Sequence, residues 1–204
     1  LYSRFFMRAI NFKNEKFSIK EPFESLFTQG MVCHETYKDE NENWLSPNEV
    51  ETNDGKSYFI KDQPTKKVKV GPAESMSKSK KNTIDPESMI ENFGADAVRL
   101  FILSDSPPEK DVQWSEQGMV ASHKFVQKLW LLNCKIKEKI NKCSDKKDQE
   151  GDLEIEKFTN QLIFKMNNNL ERFNYNVIIA NMHETYNFLT KILDKEFNQD
   201  ILIK

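Results

Sequence analysis

Glu74-Ser75-Met76-Ser77-Lys78-Ser79-Lys80-Lys81-Asn82, continuing into Thr83-Ile84-Asp85-Pro86-Glu87, is the stretch on which the reading of this chain turns. It sets small hydroxyl residues around a lysine, adds two further lysines, and then starts a helix. Asp85 is a natural N-cap, Pro86 suits the first helical position, and Glu87 complements the positive end of the helix dipole. A loop of ammonium and hydroxyl donors tethered to a fixed helix suits a polyphosphate, because the donors can close when the ligand arrives. By composition alone the same run also reads as a solvated basic loop. The sequence on either side decides between the two.

Downstream, Pro86 to Asn92 reads as a helix closed by Gly94 in the left-handed cap position, and Ala95 to Leu103 as a second, more apolar helix. Arg99 stands among apolar residues, with Asp96 or Asp105 as its expected carboxylate. Ser104 to Pro108 breaks the chain and Asp111 to Trp114 is extended. Ser115 is a good cap for a long helix to about Lys142, with Phe125, Leu129, Leu132, Ile136 and Ile140 as its buried stripe and Trp130 alongside. Cys143 to Asp152 reads as a turn. A second helix spans Leu153 to Leu170, with Phe158, Leu162, Met166 and Leu170 on one face. A third starts near Asn176 and carries Ile178, Met182, Leu189 and Leu193. Such stripes are core, and three helices on short turns predict an antiparallel bundle. Asn198 to Lys204 is expected to enter a further connection.

Upstream, Leu1 to Phe12 has helical spacing, Asn11 to Glu21 reads as loop, Pro22 to Phe27 as a short helical approach, and Gln29 to His34 as a strand. Met31 and Val32 on that strand are core packing or ligand contacts; the residues leave both open. His34 has no partner visible in sequence and reads as a structural or surface histidine rather than a catalytic base. Tyr37 to Val70 is polar and turn-rich, with strand-like Trp44-Leu45, Val50 and Tyr58-Phe59-Ile60 about an Asp54-Gly55 hairpin signal. Lys61, Lys66, Lys67 and Lys69 then lead into the opening stretch, either as a solvated run or as an electrostatic funnel.

With 204 residues the chain can bury one good core or two small ones. Its 30 basic and 32 acidic side chains nearly cancel, so any surface for a polyanion must be a local patch. Cys33, Cys134 and Cys143 are widely spaced, which fits reduced cytosolic thiols rather than a disulfide frame or a zinc site. No apolar run approaches a membrane span, and no metal-ligand spacing is visible. The opening at Leu1, inside an amphipathic pattern, predicts an excised piece of a longer protein.

Ser75 to Ser79 resembles the Lys-Met-Ser-Lys-Ser signature of the class I aminoacyl-tRNA synthetases, with Ser75 in place of the first lysine and Lys78 retained as the second. Lys80-Lys81-Asn82 looks like the leucyl branch; isoleucyl and valyl enzymes usually continue Leu-Gly-Asn. Further leucyl-like wording stands at Leu1-Tyr2-Ser3-Arg4-Phe5-Phe6, Glu21-Pro22-Phe23, Thr28-Gln29-Gly30-Met31-Val32, Phe93-Gly94-Ala95-Asp96-Ala97-Val98-Arg99-Leu100-Phe101, Ser106-Pro107-Pro108-Glu109 and Val112-Gln113-Trp114-Ser115. The likeness covers nearly the whole chain and is weakest from Asp39 to Val70.

The resemblance implies an α/β region followed by an all-α one. Residues 1–114 would be the C-terminal part of a Rossmann-type catalytic domain with a small β excursion, and 115–204 part of a helical domain that binds the tRNA anticodon arm. It implies a share in a leucine–tRNA ligase of bacterial or mitochondrial type, which activates leucine with ATP to leucyl-adenylate and passes the acyl group to tRNA(Leu). Lys78 would be catalytic, with Met31, Val32, Met76, Ser77, Lys78 and Ser79 around ATP, and Lys135, Lys139 and Lys142 towards tRNA. Mg2+ is expected with ATP, and a cytoplasmic, monomeric full-length enzyme with it. Lys69 or Lys80 is expected to supply the charge missing at Ser75. The family's His-x-Gly-His, its leucine pocket and its editing insertion are not in this sequence, so the piece is expected to be inactive alone. Two rival readings are a non-catalytic RNA-binding module of synthetase descent and an isoleucyl or valyl specificity.

Overall fold

A computed structural model describes residues 1–12, 19–142 and 149–193 of the chain. The first helix, α1 (Tyr2–Asn11), is strongly amphipathic, yet among the described residues it buries nothing, and Leu1, Tyr2, Phe5 and Phe6 are exposed. Its basic side grips the following segment. Arg4 Nε and Arg8 Nη2 donate to the Glu21 carboxylate at 2.8 and 3.0 Å. These bonds, Arg4's first, pull that carboxyl down to about 2.

Strand β1 (Val32–Lys38) is the hub of the α/β part. Strand β6 (Lys69–Ser75) lies antiparallel along its length, from Cys33 opposite Ser75 to Lys38 opposite Lys69. A strand has two edges, so the other edge of β1 is shared between two short partners. Strand β2 (Trp44–Leu45) is antiparallel at its end, and β7 (Val112–Gln113) is parallel at its start. A second, three-stranded antiparallel sheet contains β3 (Val50–Thr52), β4 (Tyr58–Ile60) and β5 (Gln63–Lys67). Its first turn is the Asp54-Gly55 hairpin. Gly55 takes φ +68°, and Asp54 Oδ1 accepts the backbone N–H groups of Lys56 and Ser57 at 2.9 and 2.7 Å.

Helix α2 (Pro86–Phe93) starts as the sequence predicts, with the Asp85 carboxylate accepting from the N–H groups of Glu87 and Ser88. Gly94 ends it at φ +82° but with ψ 150°, an extended glycine conformation rather than the left-handed helical cap, and leads straight into α3 (Ala95–Ser104). Arg99 pairs with Asp96 at 3.1 Å on the exposed side. The inner side of α3 forms the main core: Ala97 and Phe101 pack with Val112 and the fully buried Met119, and Trp114 stands edge-on to Phe101.

The long helix α4 (Glu116–Lys142) is capped by Ser115, whose Oγ accepts from Gly118 N at 3.1 Å. Gly118 is needed where α4 crosses α3, because a Cβ there would come within 2.6 Å of the Phe101 ring. Helix α6 (Tyr175–Ile192) packs on α3, α4 and α5 (Gln149–Glu171), through a Phe125–His183 stack on one side and a Phe158–Phe188 stack with Ile155 and Ile192 on the other. The α5–α6 turn holds Phe173 at φ +56°, and its ring stacks on Phe27 at 4.8 Å. That contact ties the segment before β1 to the helices. No helix among the described residues is long and apolar enough to cross a membrane.

Several boundaries differ from the sequence reading. Pro22 to Phe27 is not helical. Six residues without an N-cap cannot offset the cost of nucleating a helix, and the Phe27–Phe173 stack holds the end of the segment as irregular chain. The strand expected over Gln29 to His34 begins at Val32 and continues to Lys38. Lys69 to Ser75 is a strand that sequence did not foresee, because Gly71-Pro72 breaks the alternation. Those two residues sit where the β1–β6 register slips, with Gly71 against the Thr36 side chain and Thr36 Oγ1 donating to Pro72 O at 3.3 Å.

Trp130 does not join the α4 stripe but is 67% exposed. Helix α5 starts at Gln149, so the last four residues of the expected Cys143–Asp152 turn are helical with Gly151 among them, while 143–148 lie outside the described residues. The readings over 13–18 and Asn198–Lys204 also fall outside them.

Candidate functional site

Strand β6 ends at Ser75 and α2 starts at Pro86, and the loop between them carries the donors singled out above. Its first residue is fixed to the hub strand, with Met76 N donating to Val32 O at 3.0 Å. This bond brings together two of the expected nucleotide-contacting stretches, Met31-Val32 and Met76-Ser79. The N–H of Met31 is already given to Asp111 Oδ1 at 2.8 Å, so what Met31 offers a ligand is its exposed side chain. Val32 is half-buried in the ladder. Cys33 follows, its thiol pushed up by burial first and by the Asp111 carboxylate second.

Beyond Met76 the chain turns tightly. Ser77 Oγ lies 3.3 Å from Ser79 Oγ and accepts from Lys80 N at 3.3 Å, while Lys81 N donates to Lys78 O at 3.3 Å. Lys81 takes φ +54°, a left-handed conformation unusual for a residue with a side chain. The three lysines then part company. Lys80 Nζ folds back onto the Glu74 carboxylate, and Lys81 Nζ lies 4.0 Å from Glu49 on the excursion that carries the second sheet. Lys78 is exposed and makes no ion pair among the described residues. An exposed ammonium at the start of a turn with two hydroxyls beside it is equipped to meet phosphate oxygens.

The residue that shapes this turn is Asn82, which sequence reading used only as a mark of kinship. It is 0% exposed. Its Oδ1 accepts from Ser77 N at 2.9 Å, and its Nδ2 donates to His34 O at 3.2 Å and Glu74 O at 3.1 Å. One amide thus joins both ends of the turn to β1 and β6. A polar residue between a strand end and a helix cap could have suggested such a role, but its partners are far off in sequence, so they could not be named.

Ser75 stands exposed at the end of β6. Of the two lysines expected to compensate for it, Lys69 opens the same strand six residues away, about 20 Å at the usual rise, and is held by Glu42 at 3.2 Å. Lys80 is the one nearby, through its bond to the adjacent Glu74. His34 is buried with Nδ1 2.8 Å from Glu35 O, in keeping with a structural histidine. The lysines assigned to tRNA lie elsewhere, on the second half of α4: Lys135 is exposed, Lys139 is half-buried, and the side chain of Lys142 lies outside the described residues.

A model of the class I tRNA synthetases (I, L, M and V) matches residues 66–115, which include the loop, α2, α3 and β7. The chain is similar to the leucine–tRNA ligase of Bartonella henselae, 42% identical over 96% of this chain, and to that of Wolbachia pipientis wMel, 45% identical over 94%. It spans 22% of the length of each of these relatives. Its fold matches part of the LeuRS of Agrobacterium radiobacter K84, whose structure is a ternary complex with tRNA and LeuAMS. There the TM-score is 0.69 at 23% identity, covering 98% of this chain and 22% of that one.

Proposed function

We infer that this chain, a relative of the leucine–tRNA ligases over nearly all of its length, supplies the pyrophosphate side of the active site and the first tRNA-facing helices of such an enzyme. The reaction has two steps. A leucine carboxylate oxygen attacks the α-phosphorus of ATP and the bond to the β-phosphate bridge breaks, releasing pyrophosphate. The adenylate then gives its acyl group to a ribose hydroxyl of tRNA(Leu), with AMP leaving. The first step needs charge stabilisation on the departing pyrophosphate more than it needs a base, and Lys78 fits that need as a compact cation with three donors.

The observation that carries this reading is Lys78 exposed on a turn anchored at its base by Asn82, while the neighbouring lysines are paired. Ser77 and Ser79 add hydroxyl donors, and the exposed side chain of Met31, with Val32 and Met76, offers an apolar edge to the adenosine. The Mg2+ expected with ATP would ride on the nucleotide's own phosphates, because the loop's ammonium, hydroxyl and amide groups suit an anion and not a cation. The enzyme so described works as a monomer in the cytoplasm.

The test of specificity is aminoacylation by the full-length protein with a panel of amino acids. Leucine is expected to be charged, and to tRNA(Leu); preferential charging of isoleucine or valine would overturn the leucyl assignment, and no charging at all would overturn the enzyme.

The tRNA face is tested separately. Reversing Lys135 and Lys139 to glutamate is expected to weaken tRNA binding and to reduce the slope of log K against log salt by about one for each phosphate the helix no longer neutralises. Unchanged affinity and slope would leave these lysines as a solvated face.

A further inference from the structure

We propose that Asn82 is a positioning residue for Lys78: its buried amide holds the turn in the shape that carries the ammonium to the phosphates. The inference rests on the reading of Lys78 given above, and extends it to a residue that touches no substrate. Four observations support it. Asn82 is 0% exposed although it lies in a loop of mostly polar residues. Both N–H groups of its amide and its oxygen are engaged, the oxygen towards the turn and the two N–H groups towards the strands. The strand carbonyls it meets belong to the cross-strand partners His34 and Glu74, beside the register slip between β1 and β6. Finally, the residues between Ser77 and Asn82 form a ring closed by that side chain, with Lys78 in it and Lys81 in the left-handed region.

The chemistry of the amide makes the assignment specific. One oxygen accepts and one NH2 donates twice, a division of roles that no other side chain of this size provides. Alanine removes all three bonds and frees Ser77 N from the strands. The turn then samples other conformations, and the ammonium spends little time in the productive one. A misplacement of about 1 Å can cost on the order of a hundredfold in rate. Aspartate keeps the shape but when ionised presents its charge to two carbonyl oxygens. Burial and those dipoles raise its pKa, so the neutral acid, which can donate to one carbonyl, accumulates as the pH falls.

The test uses the full-length enzyme and leucine-dependent ATP–pyrophosphate exchange, with the folded fraction of each variant measured by circular dichroism. For Asn82→Ala, kcat per folded enzyme is expected to fall about a hundredfold, with the KM for leucine within about threefold of wild type. For Asn82→Asp, the rate relative to wild type is expected to rise as the pH is lowered from about 8.5 to about 6. Amide hydrogen exchange supplies a readout independent of activity: Ser77, Lys80 and Lys81 should lose protection in Asn82→Ala while α2 keeps it. A kcat within about twofold of wild type, or an unfolded Asn82→Ala together with a pH-independent Asn82→Asp ratio, overturns the proposal and leaves Asn82 as a structural residue only. Lys78→Ala measured alongside separates the two levels: if it too has a normal rate, the role of Lys78 has failed, and if it is slow while the Asn82 variants are not, only the positioning has failed.

Discussion

Lys78→Ala is expected to lower the kcat of leucine activation by about a hundredfold or more, corresponding to about 3 kcal/mol for one lost donor to a charge that develops in the transition state. In the proposed role the ammonium would meet the β- and γ-phosphates more strongly as pyrophosphate leaves than in resting ATP, so the loss is expected in kcat and not chiefly in the KM for ATP. Leucine affinity should barely change. Folding should survive, because the side chain is exposed on a turn and carries none of the core. Lys78→Arg should recover only part of the rate, since a planar fork cannot copy a point charge with three donors. Lys80 and Lys81 make a useful contrast: each has a carboxylate near it, so their removal should act more weakly. Pre-steady-state adenylate formation in Lys78→Ala within about twofold of wild type would leave the loop without its assigned chemistry.

The second large effect is expected outside the loop, at Gly30. The segment leading to β7 crosses so close to it that a Cβ would lie 2.0 Å from Lys110 O and 2.7 Å from Asp111 N. Both of these are backbone atoms that no rotamer change can move. Gly30 N also donates to Pro108 O at 2.8 Å, the first of a row of bonds that continues through Met31 and Cys33 to Trp114. Gly30→Ala must push this crossing apart, with loss of the Pro108 and Asp111 bonds and loosening of Val112 and Trp114 against the core. A destabilisation of about 3 kcal/mol follows, at the upper end for overpacking. In a chain of this size that is a fall of about 10 °C in thermal midpoint. A shift below about 2 °C would show that the crossing yields at little cost.

The helices were legible in the sequence because their signals are local. Asp85, Pro86 and Ser115 mark their own helix starts, and a stripe such as Phe125 to Leu132 announces a buried face wherever the partner lies. The Asp54-Gly55 hairpin is local in the same sense. What escaped depends on distant parts of the chain. Strand β6 is disguised by Gly71-Pro72, which fit only because Thr36 meets them across the ladder. Trp130 has the composition of a core residue and is exposed, and no periodicity distinguishes the two.

The site divides similarly. Lys78 and its serines could be picked out by residue type and kinship. The pairing of Lys80 with Glu74, the distance of Lys69 and the buried amide of Asn82 are products of the fold.

The central strand also dictates a timetable. Met31 and Asp111, which bond at the edge of β1, stand 80 positions apart. A ribosome adding about 5–20 residues per second therefore delivers the second partner about 4–16 s after the first. Until then β1 has β2 and β6 to pair with but nothing on the β7 edge of its start, the side opposite to the one on which Met76 bonds to Val32. The helix core built on Phe101 and Met119 must also wait for the same stretch. Nascent chains halted before Val112 emerges should therefore leave the edge from Gly30 to Cys33 at the start of β1 open to protease, and those halted after α4 has emerged should protect it. That edge would thus be among the last parts of this α/β region to be covered during synthesis, and until then a natural place for a chaperone to bind.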